Sequence, residues 1–403
     1  MYQQLQNQQL TAIAQEFGSP VYVYHAEKIT GQFQKLTHAF QGHPTRFFYA
    51  CKALSNINIL KHIHDIGGNL DCVSINEVKL GLKAGFEPKQ ILFTPNCVDI
   101  HEIMEATALN VNINIDNISI LEQFGNKYGN TYPICIRINP HIEAGGNYKI
   151  STGHIDSKFG ISIHQMRHIE RIVKTTGLHV QGLHMHTGSE IKDVNVFLRS
   201  LEIMFDMATH FKELEFLDLG SGFKVPYKED DPETDVVTLG QKLTEAVKEF
   251  EKEYGRNLEI WFEPGKYLVS ECGYFIVKAS VIKQTTATVF VGVNSGFNHL
   301  IRPMFYEAYH KITNISNPDG AERIYTVVGN ICETDTFAWD RVITEVREGD
   351  LLCFHNAGAY GFEMSSNFNS RLKPAEVLVK DDEAYLIRKR DVFEDLLRNQ
   401  VEL

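Results

Sequence analysis

Short apolar runs alternate with amphipathic stretches between residues 46 and 265. Eight of the runs are strand-like, and they read RFFYACKA from 46, NLDCVS from 69, ILFTP from 91, VNINIDN from 111, YPICIRINP from 132, VQGLHMHTG from 180, FLDLGSG from 216 and EIWFEPG from 259. Between them, apolar residues recur at three- and four-residue spacing, which predicts helices over 57–66, 75–84 and 241–254. Eight β-then-α units predict a (β/α)8 barrel, and in that fold the chemistry belongs at the carboxyl ends of the strands.

The pattern changes after about residue 275, where apolar and polar residues alternate with a period of two. The alternating segments are VIKQTTATVFVGV from 281, RIYTVVGNIC from 323, DLLCFHN from 350 and AEVLVKDDEAYLIRK from 375. They predict an all-β domain, built as a small barrel or sandwich, and Pro20–His25 is expected to pair with it. The predicted fold is α/β plus all-β, with the barrel over residues 26–275 and the β-domain over 1–25 and 276–403.

The amino-acid composition excludes some classes of binding partner. The chain has 403 residues and a net charge of −12, without a dense cluster of Lys and Arg, so neither nucleic acid nor an anionic membrane is expected as a partner. The polar N-terminal segment lacks the apolar core of a signal peptide, and no apolar run is long enough to span a bilayer. Seven scattered cysteines without a C-x-x-C pair indicate reduced thiols, so we expect a cytoplasmic protein.

Lys52 interrupts the aromatic and apolar end of the first run. A lysine in a buried place is costly unless it is paired or chemically used. Desolvation lowers the pKa of a lysine and suits its amine to Schiff-base chemistry. The alternative is a lysine that extends from a strand end into solvent.

The segment from His184 to Ser189 reads HMHTGS and places His184 and His186 two residues apart, as on one face of a strand. Three interpretations are open. The histidines could ligate a metal, although no convergent carboxylate or cysteine is evident in the sequence. They could be structural core residues. An imidazole could also stack on a flat cofactor, followed by a Gly-Ser loop whose hydroxyl meets a phosphate.

Two further strand ends carry candidate chemistry. Gly220-Ser221-Gly222 follows the seventh run, and glycines there would let backbone N–H groups approach a phosphate, although such a turn is often only a turn. Glu263 follows the eighth run, where a carboxylate could pair with a protonated pyridine nitrogen or could simply be balanced by Lys266. A lysine, a stacking imidazole, a phosphate cradle and a carboxylate together describe a site for pyridoxal 5′-phosphate (PLP).

On these residues, the chain resembles the basic amino-acid decarboxylases of the alanine-racemase-like class of PLP enzymes. The resemblance runs from FGSPVYVY near residue 17 to SRLKPAEVLV near 370. It implies that Lys52 holds PLP as a Schiff base, and that no metal takes part. Arg137 and Lys158 also match family positions near the cofactor. The other implied cofactor contacts are His186, Ser189, Gly220, Gly222, Glu263, Pro264, Gly265, Lys266 and Tyr360.

Three motifs of the β-domain extend the resemblance, namely NSGFNHLIRPMFYEAYH from 294, Cys332-Glu333 with Asp335, and AGAYGFEMSSNFN from 357. The resemblance implies that Cys332 is catalytic and delivers a proton, and that Glu333 holds the far amine of the substrate. The implied substrate-binding residues are Lys266, Arg302, Tyr306, Glu333 and Tyr360. Without the resemblance, these would be ordinary surface, buried or packed residues.

The chain departs from the family pattern at two positions. Lys266 stands where the family usually has an arginine, assigned to the phosphate or the substrate carboxylate, and lysine keeps the charge but loses the bidentate fork. Ser221 stands where a third glycine is common. Neither change removes a group that the chemistry needs. The resemblance does not decide, however, whether Lys266 contacts the phosphate or the substrate carboxylate.

The resemblance implies the decarboxylation of meso-2,6-diaminopimelate to L-lysine and CO2, the last step of lysine biosynthesis. The far end of that substrate carries an amine suited to Glu333 and a carboxylate suited to Arg302, whereas ornithine offers only the amine. Carboxynorspermidine decarboxylation and a non-catalytic PLP-binding regulatory protein are the alternatives, and an alanine racemase is disfavoured because it pairs the pyridine nitrogen with arginine. The resemblance also implies a homodimer in which Cys332 and Glu333 enter the partner's active site.

Overall fold

The structure, a computed structural model, describes residues 4–142 and 157–403. The chain divides into two compact units. One contains Gln32–Val225 and Pro232–Tyr267, and the other contains Met1–Gly31, Pro226–Asp231 and Leu268–Leu403. We call them the barrel unit and the β unit.

The described residues form strands in both units. In chain order the strands are β1 Val21–His25, β2 Thr45–Ala50, β3 Asn69–Cys72, β4 Ile91–Phe93, β5 Asn112–Ile115, β6 Ile134–Asn139, β7 Ile161–Ser162, β8 Val180–His184, β9 Phe216–Asp218, β10 Glu259–Phe262, β11 Gly273–Gln284, β12 Val289–Val293, β13 Ile312–Asn314, β14 Glu322–Val328, β15 Thr336–Thr344, β16 Leu351–Phe354, β17 Ala375–Lys380 and β18 Glu383–Arg388.

The α-helices of the same residues lie mostly between the strands of the barrel unit. In chain order they are α1 Asn7–Phe17, α2 Ala26–Ala39, α3 Ile57–Asp65, α4 Ile75–Ala84, α5 Ile100–Ala108, α6 Ile118–Tyr128, α7 Met166–Thr176, α8 Val194–Ala208, α9 Val236–Tyr254, α10 Lys266–Val269, α11 Arg302–Tyr306 and α12 Phe393–Leu397.

The barrel unit is a closed ring of parallel strands in the order β2, β3, β4, β5, β6, β8, β9 and β10. The last strand pairs with the first through Phe262 and Phe47, which completes the ring. Each of the eight predicted strand runs overlaps one of these strands, so the predicted (β/α)8 barrel is confirmed. Parallel strands covered by helices are buried on both faces, which explains why their sequences read as continuous apolar runs.

Capping residues define where several barrel helices begin and end. The Ser74 hydroxyl accepts a hydrogen bond from the backbone N–H of Glu77 at the start of α4, and Gly85 ends that helix with φ +110°. Helix α9 begins at Val236, five residues before the predicted start at 241, because Asp235 caps it through the backbone N–H of Thr238. The N-cap residue therefore determines where the helix begins, and the spacing of apolar residues alone did not predict that position.

An apolar cluster packs the barrel unit beneath the strand ends. It consists of Phe48, Leu92, Cys135, Phe216 and Trp261, and the rings of Phe216 and Trp261 stack with their centroids 3.4 Å apart. These residues come from strands β2, β4, β6, β9 and β10, as expected for the packed interior of such a barrel.

The β unit is built around β1. This strand pairs antiparallel with β11 and parallel with β17, which confirms that the early strand joins the predicted β-domain. The sheet order is β15-β14-β12-β11-β1-β17-β18, and β16 joins β11 to β13. Strands β13 and β15 were not predicted. Strand β13 has only three residues, and β15 carries the charged pair Asp340-Arg341, with Asp340 at φ +46°.

Among the described residues, no helix has both the length and the apolar character needed to cross a bilayer.

Candidate active site

Polar side chains gather at the carboxyl ends of the barrel strands, inside one unit. Lys52 follows β2 in a short helical turn, Asp71 lies in β3, and His184 ends β8. Asp218 ends β9, and Glu263 directly follows β10. The side chains of Asp71, His184 and Asp218 are fully buried. The concentration of ionisable groups at this end of the barrel marks it as the candidate active site.

Lys52 Nζ lies 2.8 Å from Oδ2 of the buried Asp71, and the hydroxyl of Thr94 donates to the other carboxylate oxygen. The Lys52 side chain is 40% exposed, and its amine is paired with this buried carboxylate. Burial and the neighbouring Glu263 raise the pKa of Asp71, whereas Lys52 lowers it.

His184 connects Asn114 with Glu263. Its Nδ1 lies 2.9 Å from the side-chain nitrogen of Asn114. Nε2 lies 3.4 Å from a Glu263 carboxylate oxygen, an ion-pair distance without hydrogen-bond geometry. Strand β8 ends at His184, so the prediction that both histidines share one strand face is wrong. His186 lies beyond the strand.

Two carboxylates converge on His184. Ligand atoms of His184, Asp218 and Glu263 all lie within 4.8 Å of one another, which corrects the expectation that no convergent carboxylate accompanies the histidines. The signal was present in the sequence as charged residues at the ends of apolar runs. Burial raises the pKa of Glu263, but His184, Lys52 and His186 outweigh it and lower that pKa to about 2. Burial and Glu263 raise the pKa of Asp218 well above its ordinary value. Glu263 is therefore the ionised member of this carboxyl pair.

His186 packs against the glycine-rich turn. The backbone N–H of Ser221 donates to its Nδ1 at 3.2 Å. Burial and Arg137 lower the pKa of His186 to about 3, so the ring is neutral at physiological pH. Gly220 has φ +62°, and a Cβ there would lie 2.6 Å from His186 Nδ1. Only glycine therefore allows this approach of the turn to the imidazole.

The second glycine of the turn is also required by its surroundings. Gly222 has φ +120°, and a Cβ would lie 2.6 Å from the backbone oxygen of Gly188. The turn and the loop after β8 are thus in direct backbone proximity. In that loop, the buried Ser189 hydroxyl has no hydrogen-bond partner within the described part of the chain. A buried hydroxyl without a partner is costly and indicates a ligand position.

The segment that follows Glu263 contacts the end of β2 and the loop that follows β8. Pro264 accepts a hydrogen bond from the backbone N–H of Ala50 through its backbone oxygen, so this segment adjoins the end of β2. After Gly265, Lys266 begins α10 and its Nζ lies 2.7 Å from a carboxylate oxygen of Glu190. The contact with Glu190 was not predicted. It pairs a carboxylate with the charge of Lys266, the residue that stands where the family usually has an arginine.

Arg137 lies in β6 and is buried, with its guanidinium carbon 4.7 Å from the Phe159 ring centroid. Burial lowers its pKa, and neighbours such as Glu263 and Asp116 raise it. Lys158 Nζ lies 5.0 Å from the same ring centroid. Both predicted residues therefore contact one aromatic ring of the barrel unit.

The remaining predicted residues belong to the β unit. Arg302 is buried at the start of α11, and Tyr306 is the last residue of that helix. Cys332 and Glu333 are exposed, and the Asn369 side-chain nitrogen lies 3.2 Å from the Cys332 sulfur. Tyr360 has a left-handed backbone with φ +57°. Arg302 and Tyr306 share helix α11, and Arg302 Nη1 donates to the backbone oxygen of Ala359, the residue before Tyr360.

The described barrel residues fit PLP. Lys52 presents an amine at a strand end, and the ionised Glu263 has one buried carboxylate oxygen without a hydrogen-bond partner among the described residues. A carboxylate in that state suits a protonated pyridine nitrogen. Gly220 and Gly222 form a cradle that a Cβ would fill. It lies next to the Ser189 hydroxyl, which has no hydrogen-bond partner among the described residues, and this arrangement suits a phosphate.

The comparison with known families agrees with this fit. The family described as "Pyridoxal-dependent decarboxylase, pyridoxal binding domain" matches residues 26–270, and the chain belongs to this family of PLP-dependent carboxy-lyases. Diaminopimelate decarboxylase from Methanothermobacter thermautotrophicus is 37% identical over 96% of this chain and 93% of its own length. The Campylobacter jejuni enzyme of the same name is 34% identical over 95% of this chain and 96% of its own length.

A solved structure gives the same result. The crystal structure of diaminopimelate decarboxylase from Helicobacter pylori complexed with L-lysine superposes with a TM-score of 0.88 at 32% identity, and the match covers 96% of this chain and 98% of that chain. The resemblance inferred from the sequence motifs is therefore confirmed at the level of the family and the fold.

Proposed function

We propose that the chain decarboxylates meso-2,6-diaminopimelate to L-lysine and CO2, the last step of lysine biosynthesis. The observation that carries this proposal is similarity over nearly the whole length to enzymes named for this activity. The Helicobacter pylori relative is complexed with L-lysine, which would be the product. The alternatives, carboxynorspermidine decarboxylation and a regulatory PLP-binding role, are distinguished from this activity by the CO2-release assay described below.

The barrel unit would hold the cofactor. Lys52 would bind it covalently, and Glu263 would face the pyridine nitrogen with the carboxylate oxygen that lacks a partner among the described residues. The neutral His186 ring would cover the face of the cofactor. Its phosphate would lie against Ser189 and the backbone of the Gly220–Gly222 turn. When bound, PLP supplies an electron sink for the electron pair that CO2 leaves behind.

Other residues would bind the substrate and move a proton. We assign the carboxylate at the far end of the substrate to Arg302, because a buried guanidinium favours a charged acceptor. The amine at that end is assigned to Glu333. Cys332 would return the proton to the α-carbon after CO2 has left. Tyr306 and Tyr360 would line the substrate position, while Lys266 would add positive charge near the phosphate or a substrate carboxylate.

We also propose that the active form is a homodimer with shared active sites. Cys332 and Glu333 are exposed in the single chain, which supports a role at the site of a partner copy. The same unit exposes large apolar side chains, among them Ile324, Trp339 and Val342. Exposed apolar surface of this kind suits an interface.

A cytoplasmic location is proposed from the cysteines. All seven are free, and five of them are buried. Free thiols without disulfide partners suit a reducing compartment.

The test is a CO2-release assay of the PLP-loaded protein. Diaminopimelate, carboxynorspermidine, ornithine, lysine and arginine are compared in parallel at equal concentration. We expect release from diaminopimelate, with lysine as the co-product. Preferred release from carboxynorspermidine would replace the proposed substrate, and PLP binding without CO2 release from any of them would support the regulatory alternative.

A further inference from the structure

Tyr227 lies in the short segment Pro226–Asp231, which follows the glycine-rich turn in the sequence and belongs to the β unit. Its hydroxyl accepts a hydrogen bond of 2.7 Å from Nη1 of Arg302. The guanidinium carbon lies 5.1 Å from the centroid of the tyrosine ring. Tyr227 is therefore in direct contact with the arginine to which we assign the far carboxylate of the substrate.

The direction of this hydrogen bond is fixed by a chain of hydroxyl groups. Arginine can only donate, so the Tyr227 oxygen accepts from it and its own proton is directed elsewhere. The Ser270 oxygen lies 2.7 Å away, and the Ser270 hydroxyl donates to the backbone oxygen of Asn356 at 3.4 Å. A carbonyl oxygen only accepts, so every proton in the chain points from Arg302 towards Asn356.

Tyr227 is itself held in place on several sides. The side chain of Asn356 donates to the backbone oxygen of Pro226 at 2.8 Å, so one residue fixes both the segment and the end of the hydroxyl chain. The backbone N–H of Tyr227 donates to Asp231 at 3.2 Å. The ring of His310 meets the tyrosine ring edge-on, at a centroid distance of 5.7 Å and an angle of 88°. The hydroxyl therefore has little freedom to follow a moving guanidinium.

Nη1 of Arg302 has a second acceptor. It donates to the backbone oxygen of Ala359 at 3.4 Å, next to Tyr360 in the chain. The two hydrogens of Nη1 are thus both directed at protein oxygens, which fixes the plane of the guanidinium. The planar fork of an arginine recognises a carboxylate only when its plane is correctly set.

We propose that Tyr227 is a positioning residue for Arg302 and thereby a determinant of substrate selectivity. Its hydroxyl sets the guanidinium plane that reads the carboxylate at the far end of the substrate. The inference rests on the proposed function for the identity of the substrate, but the contact between Tyr227 and Arg302 can be tested without it.

The first experiment compares Tyr227→Phe with the wild type. The substitution keeps the ring and removes the hydroxyl. We expect KM for diaminopimelate to rise roughly tenfold while kcat changes by less than about twofold, because one hydrogen bond to a charged group is lost far from the reacting carbon. The inhibition constant of cadaverine, a diamine without a carboxylate, should change less than KM for diaminopimelate.

The matched control is Tyr325→Phe in the same unit. The Tyr325 hydroxyl accepts from the backbone N–H of Val346 at 3.0 Å, so its removal also costs a buried hydrogen bond. Melting temperature should fall in this variant without a change in selectivity. If Tyr325→Phe changed selectivity as much as Tyr227→Phe does, general destabilisation would explain both changes. That result would overturn the proposal.

A double-substitution cycle separates action through Arg302 from direct contact with the substrate. In an Arg302→Ala background, Tyr227→Phe should produce no further change in KM. A full tenfold effect in that background would show that Tyr227 does not act through Arg302.

The final readout does not depend on any substrate. In 15N-arginine-labelled protein, NMR exchange measurements follow rotation of the Arg302 guanidinium, whose signal is assigned by its loss in Arg302→Ala. Rotation should be hindered in the wild type and faster in Tyr227→Phe. If diaminopimelate is not the substrate, this result would still support the positioning role. Unchanged rotation would overturn it.

Discussion

The ammonium group of Lys52 lies 2.8 Å from a carboxylate oxygen of Asp71, and the Asp71 side chain is completely buried. The other Asp71 oxygen accepts from the Thr94 hydroxyl. Burial and Glu263 raise the pKa of Asp71, while the two contacts to Lys52 and Thr94 lower it. Lys52 is therefore both the expected attachment point of the cofactor and a charge that stabilises ionised Asp71.

Lys52→Ala should consequently have two effects. The visible absorbance of the lysine-bound cofactor and the release of CO2 should be lost, because no amine remains at this strand end. The apoprotein should also lose about 1 kcal/mol in the free energy of unfolding. Among the described residues, Asp71 then keeps only the Thr94 hydroxyl as a partner, and the lost lysine was partly exposed. Urea denaturation measures the second effect, with Lys52→Ala/Asp71→Asn as the control. Borohydride trapping of a pyridoxyl group on another lysine would reject the assignment.

Glu263→Gln should lower kcat on the order of 100-fold and change PLP affinity much less. A neutral amide cannot hold a pyridine nitrogen in its protonated form, whereas Ser189 and the glycine turn are unchanged. Single-turnover kinetics measure the rate of the chemical step, and PLP titration of the apoprotein measures the affinity for PLP. An unchanged kcat would mean that Glu263 has only a structural role.

Arg302→Ala should impair the use of diaminopimelate far more than the binding of a ligand without the far carboxylate. Leaving a buried carboxylate without its charged partner costs about 2–5 kcal/mol. The measurements are kcat/KM for diaminopimelate and the inhibition constant of cadaverine, a diamine without a carboxylate, in the variant and the wild type. Equal losses in both would show that Arg302 does not recognise that carboxylate.

Shared active sites predict recovery of activity when two inactive variants exchange subunits. Lys52→Ala and Cys332→Ala are mixed, and a heterodimer would have one site with both residues intact and one with neither. Activity should approach roughly a quarter of the wild-type value under random pairing, since half of the dimers carry one good site. Mass spectrometry of differently tagged subunits confirms the exchange. An absence of recovery after exchange would place Cys332 in the site of its own chain.

Asp335 should give the β unit a pH-dependent stability. Its carboxylate accepts from the backbone N–H groups of Phe297 and Ile331, at 2.7 and 2.8 Å. Burial raises its pKa from 3.8 to about 6, against the opposing effect of these two hydrogen bonds. The folded state therefore binds the proton more tightly than the unfolded state.

The sign of the effect follows from that raised pKa. The contribution of Asp335 to stability is fully present below about pH 4 and is lost as the pH rises through about 6. Urea denaturation between pH 4 and 7 should show the wild type losing stability relative to Asp335→Asn as the pH rises. The variant carries a constant offset because its amide nitrogen cannot accept a backbone hydrogen bond. Parallel pH profiles for the two proteins would contradict the prediction.

The sequence pattern predicted the barrel well because each parallel strand is buried on both faces. Its apolar run is therefore continuous and is interrupted only where function places a charge. Lys52 and Glu263 were found in this way. Asp71 and Asp218 carry the same signal, a charge within or at the end of an apolar run, and the same rule applied to every run would have selected them.

Other contacts could not be predicted from the local pattern. The pairing of Lys266 with Glu190 joins loops that follow different strands, and Tyr227 reaches Arg302 across 75 residues of sequence. Both depend on how loops close in three dimensions, and loop closure leaves no periodic signal. Strand β15 was missed for a similar reason, because the left-handed backbone at Asp340 breaks the alternation that marks a strand.

The place of β1 in the β unit has a consequence for the synthesis of the protein. This strand precedes the barrel in the sequence, whereas one of its two neighbours, β17, follows the barrel and most of the β unit. A nascent chain therefore carries an unpaired apolar strand throughout the translation of the barrel, and such open edges invite association between chains. A ribosome that stops before residue 375 releases a product whose first strand has no parallel neighbour. Closure of the sheet around β1 is thus coupled to the synthesis of residues 375–380.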